Sequence, residues 1–150
     1  MSVDRLKWMA AIPYFLVMLV VVNGSVMGNY DLYFFGVQLS LITLIPYLVY
    51  HFVNRNHENE FIATHTKKAM KIFKIYFILA IVLGVALNFM GFGLVTANPM
   101  MVFTSGAVGA VFLIPLFAIV IYAIITCTLG SIRSFKLQLP NKSTWQNDSP

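Results

Sequence analysis

The sequence predicts an all-α membrane protein with four transmembrane helices, and three observations lead to this fold class. Of the 150 residues, 59% are hydrophobic and only 10% are charged, which is too apolar for an ordinary soluble domain of this length. The apolar residues gather into four uncharged runs, each long enough to cross a bilayer core of about 30 Å as a helix of about 20 residues. All ten Lys and Arg residues fall outside these runs.

The predicted spans cover about residues 8–26, 32–52, 75–95 and 100–129. They form a single domain of residues 1–140, with a charged loop at 53–74 and a polar cytoplasmic tail at 141–150. Lys and Arg collect in short cytoplasmic segments, and the connections of residues 27–31 and 96–99 contain neither. We therefore expect a multi-pass protein of the bacterial inner membrane with the N-terminus, the loop and the C-terminus inside.

A signal peptide is the competing interpretation of the first span, because Arg5 and Lys7 precede it as a basic leader would. The apolar run is longer than that of most signal peptides, and no small-x-small cleavage site follows it. Trp8 is also placed as an interfacial anchor. These features favour a helix that stays in the membrane.

Small residues recur at helical spacing along the third and fourth spans. Such residues allow helix backbones to approach closely in lipid, where no hydrophobic force drives helices together. The predicted packing positions are Ala80, Gly84, Asn88, Ser105, Gly106, Gly109 and Ala110.

Polar side chains lie at similar depths near the outer ends of all four spans, roughly 5 to 9 Å inward by helical rise. They are Asn23, Gln38, Asn88 and Thr104, or Ser105 in place of the last. One interpretation is a small polar pocket open to the outer face. The other is hydrogen bonding between helices, which contributes only about 0.6 kcal/mol per bond. The lack of any charged residue within the spans favours hydrogen bonding.

The 53–74 loop starts with a polar turn and continues with a helical pattern. Its apolar side holds Ile62, Ala69, Ile72, Phe73 and, just beyond the loop, Tyr76. Lysines lie elsewhere on the helix, at Lys67, Lys68, Lys71 and Lys74. This pattern predicts an amphipathic interfacial helix that leads into the third span, with the lysines on lipid phosphates at the membrane surface.

Histidine and glutamate side chains also concentrate around this loop, at His51, His57, Glu58, Glu60 and His65. Spacings of six and eight residues between the histidines do not place two ligands on one helix face, and no H-E-x-x-H pattern occurs. We therefore expect no metal, no cofactor and no enzymatic activity. For His65 the open alternatives are a structural hydrogen bond and a pH-dependent switch, of which the structural role is favoured.

Residues 61–70, FIATHTKKAM, resemble the F-[VI]-x-x-H-x-K-x-A-[LM] segment of a family of small four-helix bacterial and archaeal membrane proteins. These proteins are similar to the twenty-kilodalton subunit of the chloroplast protein-import translocon. The resemblance covers about residues 36–140 and implies a Tic-like four-helix fold with His65, Lys67 and Ala69 as motif positions. The family's aromatic closing element is matched only loosely by FKLQLP at residues 135–140.

The leading functional hypothesis is a non-catalytic accessory or assembly subunit, with the lipid bilayer and other membrane proteins, or a second copy of itself, as partners. The alternative is an oligomeric transport or translocation component with an outward-facing polar pocket. Ion pathways usually carry charged side chains within the membrane, and the predicted spans contain none. Nucleic acid is not an expected partner, because the basic residues lie beside the membrane and not on an extended soluble surface.

Overall fold

A computed structural model of the chain describes residues 2–24, 33–34, 37–89 and 107–140. In this part of the chain it contains four helices and a short β-hairpin, so the predicted number of helices is confirmed. In chain order the elements are α1 (Val3–Val22), β1 (Tyr33–Phe34), β2 (Val37–Gln38), α2 (Leu39–Asn54), α3 (Glu60–Phe89) and α4 (Ala107–Phe135).

Helix α1 packs against each of the other three helices, as α3 also does. It begins at an N-cap serine, where the Ser2 hydroxyl oxygen accepts a hydrogen bond from the Arg5 backbone N–H at 3.4 Å. Such a cap satisfies one of the free N–H groups of the first turn. The side chains of Tyr14, Val17 and Val21 are completely buried against the neighbouring helices.

Helix α2 is shorter than the predicted second span. Residues 33–34 and 37–38 pair as an antiparallel hairpin, with Tyr33 opposite Gln38 and Phe34 opposite Val37, and the helix begins only at Leu39. The prediction of a helix from residue 32 is therefore wrong over these paired residues. An apolar run rich in aromatic and β-branched residues does not distinguish a strand from a buried helix by hydrophobicity alone.

Helix α3 runs without a break from Glu60 to Phe89, so the predicted interfacial helix and the third span are one helix. Its start is fixed by Asn59, whose side-chain oxygen accepts from the Phe61 backbone N–H at 3.0 Å. The two predicted faces are confirmed: the five apolar positions from Ile62 to Tyr76 are buried, whereas Lys67, Lys71 and Lys74 are exposed. The apolar face packs on other helices, not on a membrane surface as the lead-in prediction had it.

Helix α4 ends six residues beyond the predicted fourth span, and its last turns lie beside the first turns of α3. The two helices are therefore antiparallel neighbours. The main core lies where α1 meets the other helices and includes Tyr14, Val17, Tyr47, Ala69, Phe73, Ala123 and Cys127.

Among the described residues, two segments are long and apolar enough to cross a membrane, Val3–Val22 and Phe117–Phe135, and Ile42–Asn54 is a shorter apolar helix. Core helices of soluble proteins can have the same length and composition, so the four predicted spans and their orientation stay predictions.

Candidate functional site

His65 lies at the point where three helices and the segment after α4 meet. Its ring is fully buried. The Nδ1 atom lies 3.0 Å from the Tyr14 hydroxyl of α1 and 3.2 Å from the Ser134 hydroxyl of α4. The Nε2 atom lies 3.0 Å from the backbone carbonyl oxygen of Gln138. One side chain therefore joins parts of the chain that are 51 to 73 residues apart.

The partners of His65 determine which ring nitrogen carries the proton. A carbonyl oxygen can only accept, so Nε2 carries the hydrogen and donates it to Gln138. In the neutral ring Nδ1 is then an acceptor, and it takes the Tyr14 O–H. The Ser134 hydroxyl donates to the Gly130 carbonyl at 3.0 Å, as serines in helices often do. This arrangement satisfies both nitrogens of a neutral imidazole.

The neutral form is also favoured by the surroundings of the ring. The pKa of His65 is lowered from 6.5 to about 4, chiefly because the ring is buried; the hydrogen bond to Gln138 acts in the opposite direction, and the nearby positive charge of Arg133 also lowers the pKa. The desolvation of a charged imidazolium is the dominant cause. At neutral pH His65 is therefore an uncharged hydrogen-bonding residue.

Gly130 allows Tyr14 to reach the histidine. A Cβ atom at position 130 would lie far inside van der Waals contact with the Tyr14 ring. Only glycine leaves room for the aromatic ring against the backbone of α4 at this position. The small residue of α4 and the tyrosine of α1 therefore form a matched pair whose effect is to place the hydroxyl on Nδ1.

The closing segment, residues 136–140, folds back after α4 and brings the Gln138 carbonyl to His65. Leu137 adopts a left-handed backbone conformation with φ of 54°, which redirects the chain after the helix. An Arg133 guanidinium N–H donates to the Pro140 carbonyl at 2.7 Å. Leu139 is buried against Phe61 and Ile62 at the start of α3, in a second apolar cluster. The closing segment is therefore packed in the structure and is not a loose extension.

The three motif positions of the family resemblance have different surroundings. His65 and Ala69, one turn apart, are both fully buried on the inner face of α3, and Phe61 one turn earlier makes an edge-to-face contact with the His65 ring at 4.5 Å. Lys67 is exposed. The buried positions of this motif are thus packing and hydrogen-bonding positions, whereas Lys67 is available to solvent or lipid.

The other histidines do not join His65. His57 accepts from the Asn59 backbone N–H at 3.0 Å within the turn between α2 and α3, where Glu58 and Glu60 are exposed. The His51 ring stacks edge-to-face on Phe52. Among the described residues no group of three or more His, Cys, Asp or Glu side chains could hold a metal ion.

The predicted polar layer and packing stripe fall largely on residues whose side chains are not described. Thr104, Ser105 and Gly106 lie outside the described residues. The backbone positions of Gln38 (in β2), Gly84 and Asn88 (in α3), and Gly109 and Ala110 (in α4) are described, and their side-chain contacts are not. Asn23 is buried after α1, and Ala80 is partly buried. The layer and the stripe therefore stay predictions.

Two features of the site were not evident from the sequence. Tyr14 is one of many aromatic residues in the apolar runs, and nothing in the sequence distinguishes it from the others. The Gln138 acceptor is a backbone group that no side-chain motif identifies. The sequence does hold one indication of the site, because the glycine and serine at positions 130 and 134 are spaced as neighbours on one face of α4.

A serine–histidine contact also occurs in hydrolases. Here both groups are fully buried and no carboxylate among the described residues orients the ring, so the geometry favours a structural role.

Comparison of the chain with protein-family models, with curated proteins and with solved structures gives no match, and the resemblance of residues 61–70 to the Tic-like family stays a prediction.

Proposed function

We propose that this chain is a non-catalytic integral membrane protein, with four transmembrane helices and both termini in the cytoplasm, which serves as an accessory or assembly subunit for other membrane proteins. The observation that supports it best is the outer surface of the helices. Large apolar side chains are exposed along α2, α3 and α4, including Ile45, Val49, Ile78, Val82, Phe117, Ile121 and Ile125. A soluble helix normally presents a polar face to water, and apolar exposure on this scale marks contact with lipid or with another protein.

The distal half of α3 carries the assembly part of the proposal. Of the nine residues from Phe77 to Val85, six are large apolar side chains that are exposed: Phe77, Ile78, Leu79, Ile81, Val82 and Val85. They point around much of the helix circumference, since consecutive residues differ by about 100°. This part of α3 therefore exposes apolar side chains on more than one side of the helix, where a partner protein could pack.

We use the term His65 node for His65 together with Tyr14, Ser134 and the Gln138 carbonyl. This node fits a structural function inside such a bundle. Hydrogen bonds between helices hold a membrane protein in one arrangement where apolar surface alone gives little preference. The node ties the middle of α1 to the cytoplasmic ends of α3 and α4 and to the closing segment, while the apolar outer faces stay free for lipid and partners.

Topology is tested by cysteine labelling from the two sides of the membrane. The native Cys127 is fully buried, so the unmodified chain is the unlabelled control. Glu58→Cys, at an exposed position of the turn before α3, is expected to react from the cytoplasm. Asn29→Cys, in the predicted first outer connection, is expected to react only from outside. Reaction of both from the cytoplasm would contradict four spans.

Assembly is tested with a photo-crosslinking amino acid at Ile78, on the exposed side of α3, in cells that make the protein at native level. Val17, fully buried in α1, is the matched control. We expect a discrete adduct with another membrane protein from position 78 and none from position 17. Adducts that contain only this chain, with a continuous central cavity in the purified oligomer, would favour the transport alternative instead.

A further inference from the structure

A cleft of about 380 Å³ opens between α3 and α4, beside the His65 node. Its volume is in the range of small-molecule sites, which is about 300 to 1,000 Å³. The Tyr14 ring and Gly130 form part of its wall, and Pro140 of the closing segment lies at one end. The same contacts that organise the node therefore also shape this cleft.

Three cationic side chains line one end of the cleft: Lys68 and Lys71 from α3 and Arg133 from α4. No acidic residue lines it, and the only ion pair among the described residues is between Lys7 and Asp4 of α1. Arg133 uses one N–H on the Pro140 carbonyl, and the guanidinium has four further N–H groups. Cations from two helices thus converge on one cleft, and no acidic side chain among the described residues balances them.

The other end of the cleft is uncharged and mainly apolar. Beyond Lys71 the α3 wall continues with Ile72 and Ile75, and beyond Arg133 the α4 wall continues with Leu129, Thr126 and Tyr122. The Thr126 hydroxyl donates to the backbone carbonyl of Tyr122 within the helix. Because α3 and α4 are antiparallel, both walls change from cationic to apolar in the same direction. By helical rise Arg133 and Tyr122 are about 16 Å apart along α4. This is the order of groups in a phospholipid, with a charged phosphate first and its acyl chains behind it.

We propose that this cleft is a binding site for an anionic phospholipid of the cytoplasmic leaflet, with the phosphate on Lys68, Lys71 and Arg133 and an acyl chain along the apolar end. This inference rests on the proposed membrane placement, which puts the cationic end at headgroup level on the inner side. It differs from general attraction of a basic surface to acidic lipid, because the site combines two helices and a defined apolar wall. Lys71 also borders a more open basic cleft with Lys67 and Lys74, which lacks such a wall among its lining residues.

The matched pair of variants is Lys68→Gln/Lys71→Gln in the cleft and Lys67→Gln/Lys74→Gln on the same helix outside it. Each removes two positive charges from α3, so they differ in position and not in net charge. The full-length protein is purified in a nonionic detergent, and retained lipid is counted by native mass spectrometry during titration with phosphatidylglycerol. Phosphatidylcholine and inorganic phosphate are titrated in parallel.

We expect the unmodified protein and the Lys67/Lys74 variant to retain one phosphatidylglycerol in preference to phosphatidylcholine. We expect the Lys68/Lys71 variant to bind it at least about tenfold more weakly, since each lysine near an anionic headgroup adds roughly a fivefold change in affinity. Equal losses in the two variants would refute the site and leave only a basic surface. Binding of inorganic phosphate as tightly as phosphatidylglycerol would also refute it, because the apolar end would then contribute nothing.

Membrane placement is measured separately by alkaline carbonate extraction of cell membranes. A chain that stays in the membrane pellet but shows no preference for phosphatidylglycerol would overturn the lipid site alone. A chain released into the supernatant would overturn the proposed function, and the lipid site with it.

Discussion

The hydrogen bond between Tyr14 and His65 can be measured by a double-mutant cycle. Tyr14→Phe removes one hydroxyl and leaves the ring against Gly130. Because Ser134 lies 3.2 Å from the same Nδ1 atom and can rotate to donate, the cost should lie near that of an ordinary hydrogen bond, about 0.5 to 1.5 kcal/mol. His65→Phe keeps a ring of similar size but leaves both the Tyr14 hydroxyl and the Gln138 carbonyl without a partner. At about 1 to 3 kcal/mol for each of these two buried unpaired groups, we expect a loss of about 2 to 6 kcal/mol.

The double variant separates the hydrogen bond from packing. If Tyr14 donates to His65, the Tyr14→Phe change should cost about 1 kcal/mol less in the His65→Phe background than in the unmodified chain. Tyr122→Phe is the control, because its ring is 41% exposed and its hydroxyl has no hydrogen bond to another described residue. We expect this control to lie within about 0.5 kcal/mol of the unmodified protein and to show no coupling to His65.

The chain carries its own probe of unfolding. Cys127 is the single cysteine and is fully buried in the core that Tyr14 also joins. A thiol-reactive fluorogenic dye therefore reports the opening of this core during heating in detergent. For a chain of this size about 1 kcal/mol corresponds to a shift of roughly 2 to 4 °C in Tm. Additive effects of Tyr14→Phe and His65→Phe, with no coupling, would refute the assignment of Nδ1 as the acceptor of the tyrosine hydroxyl.

Three further predictions concern thermal unfolding. The first is followed by circular dichroism, because a thiol-reactive dye needs a thiolate and reacts slowly at low pH, and the other two use the same dye assay. The pKa of His65 is about 4 in the folded chain and 6.5 in the unfolded chain, so the unfolded chain takes up the proton first as pH falls. The contribution of neutral His65 to the free energy of unfolding is therefore complete above pH 6.5 and is lost as pH is lowered toward 4, by on the order of 3 kcal/mol. His65→Phe should remove this part of the pH dependence. Gly130→Ala should destabilise the protein by about 1 to 3 kcal/mol through the clash with Tyr14. Gly24→Ala is the control and should change Tm little, because its Cβ would lie 3.4 Å from its nearest neighbour. Equal effects of the two variants would contradict the close approach of the Tyr14 ring to Gly130. Thr66→Val should leave stability unchanged or raise it by up to about 1 kcal/mol, because the buried Thr66 hydroxyl has no hydrogen-bond partner among the described residues. A clear loss in Tm would show that the hydroxyl is bonded.

The helix count was predictable from the length of the apolar runs, and the inner face of α3 was predictable from its periodicity. Buried positions of a helix recur with the helical period, and Ile62, Ala69, Ile72 and Tyr76 obey it. The start of α2 was not predictable in the same way. A run such as residues 32–38 is equally apolar as a strand or a helix, and hydropathy records only that it avoids water.

His65 was identified as a residue with a structural role, but its partners were not, for a physical reason. A hydrogen bond across 73 residues depends on where two helices end relative to each other, and the acceptor at Gln138 is a carbonyl that every residue possesses. What makes this carbonyl available is the left-handed turn at Leu137. Non-glycine residues rarely adopt that conformation, so neither the turn nor the bond can be read from local preference.

The lysines of α3 show how a correct sequence pattern can still merge two roles. The pattern placed Lys67, Lys68, Lys71 and Lys74 together as a membrane-surface group, because a single helix has no information about its neighbours. Packing α4 alongside brings Arg133 to Lys68 and Lys71 and leaves Lys67 and Lys74 outside that cleft. Charge removed from the first pair should therefore act on a bound lipid, and charge removed from the second pair only on the general attraction of the surface. This division of the lysines exists only in the folded chain. The two pairs carry the same charge and lie on the same helix, so a comparison of their variants separates the position of the charge from its amount.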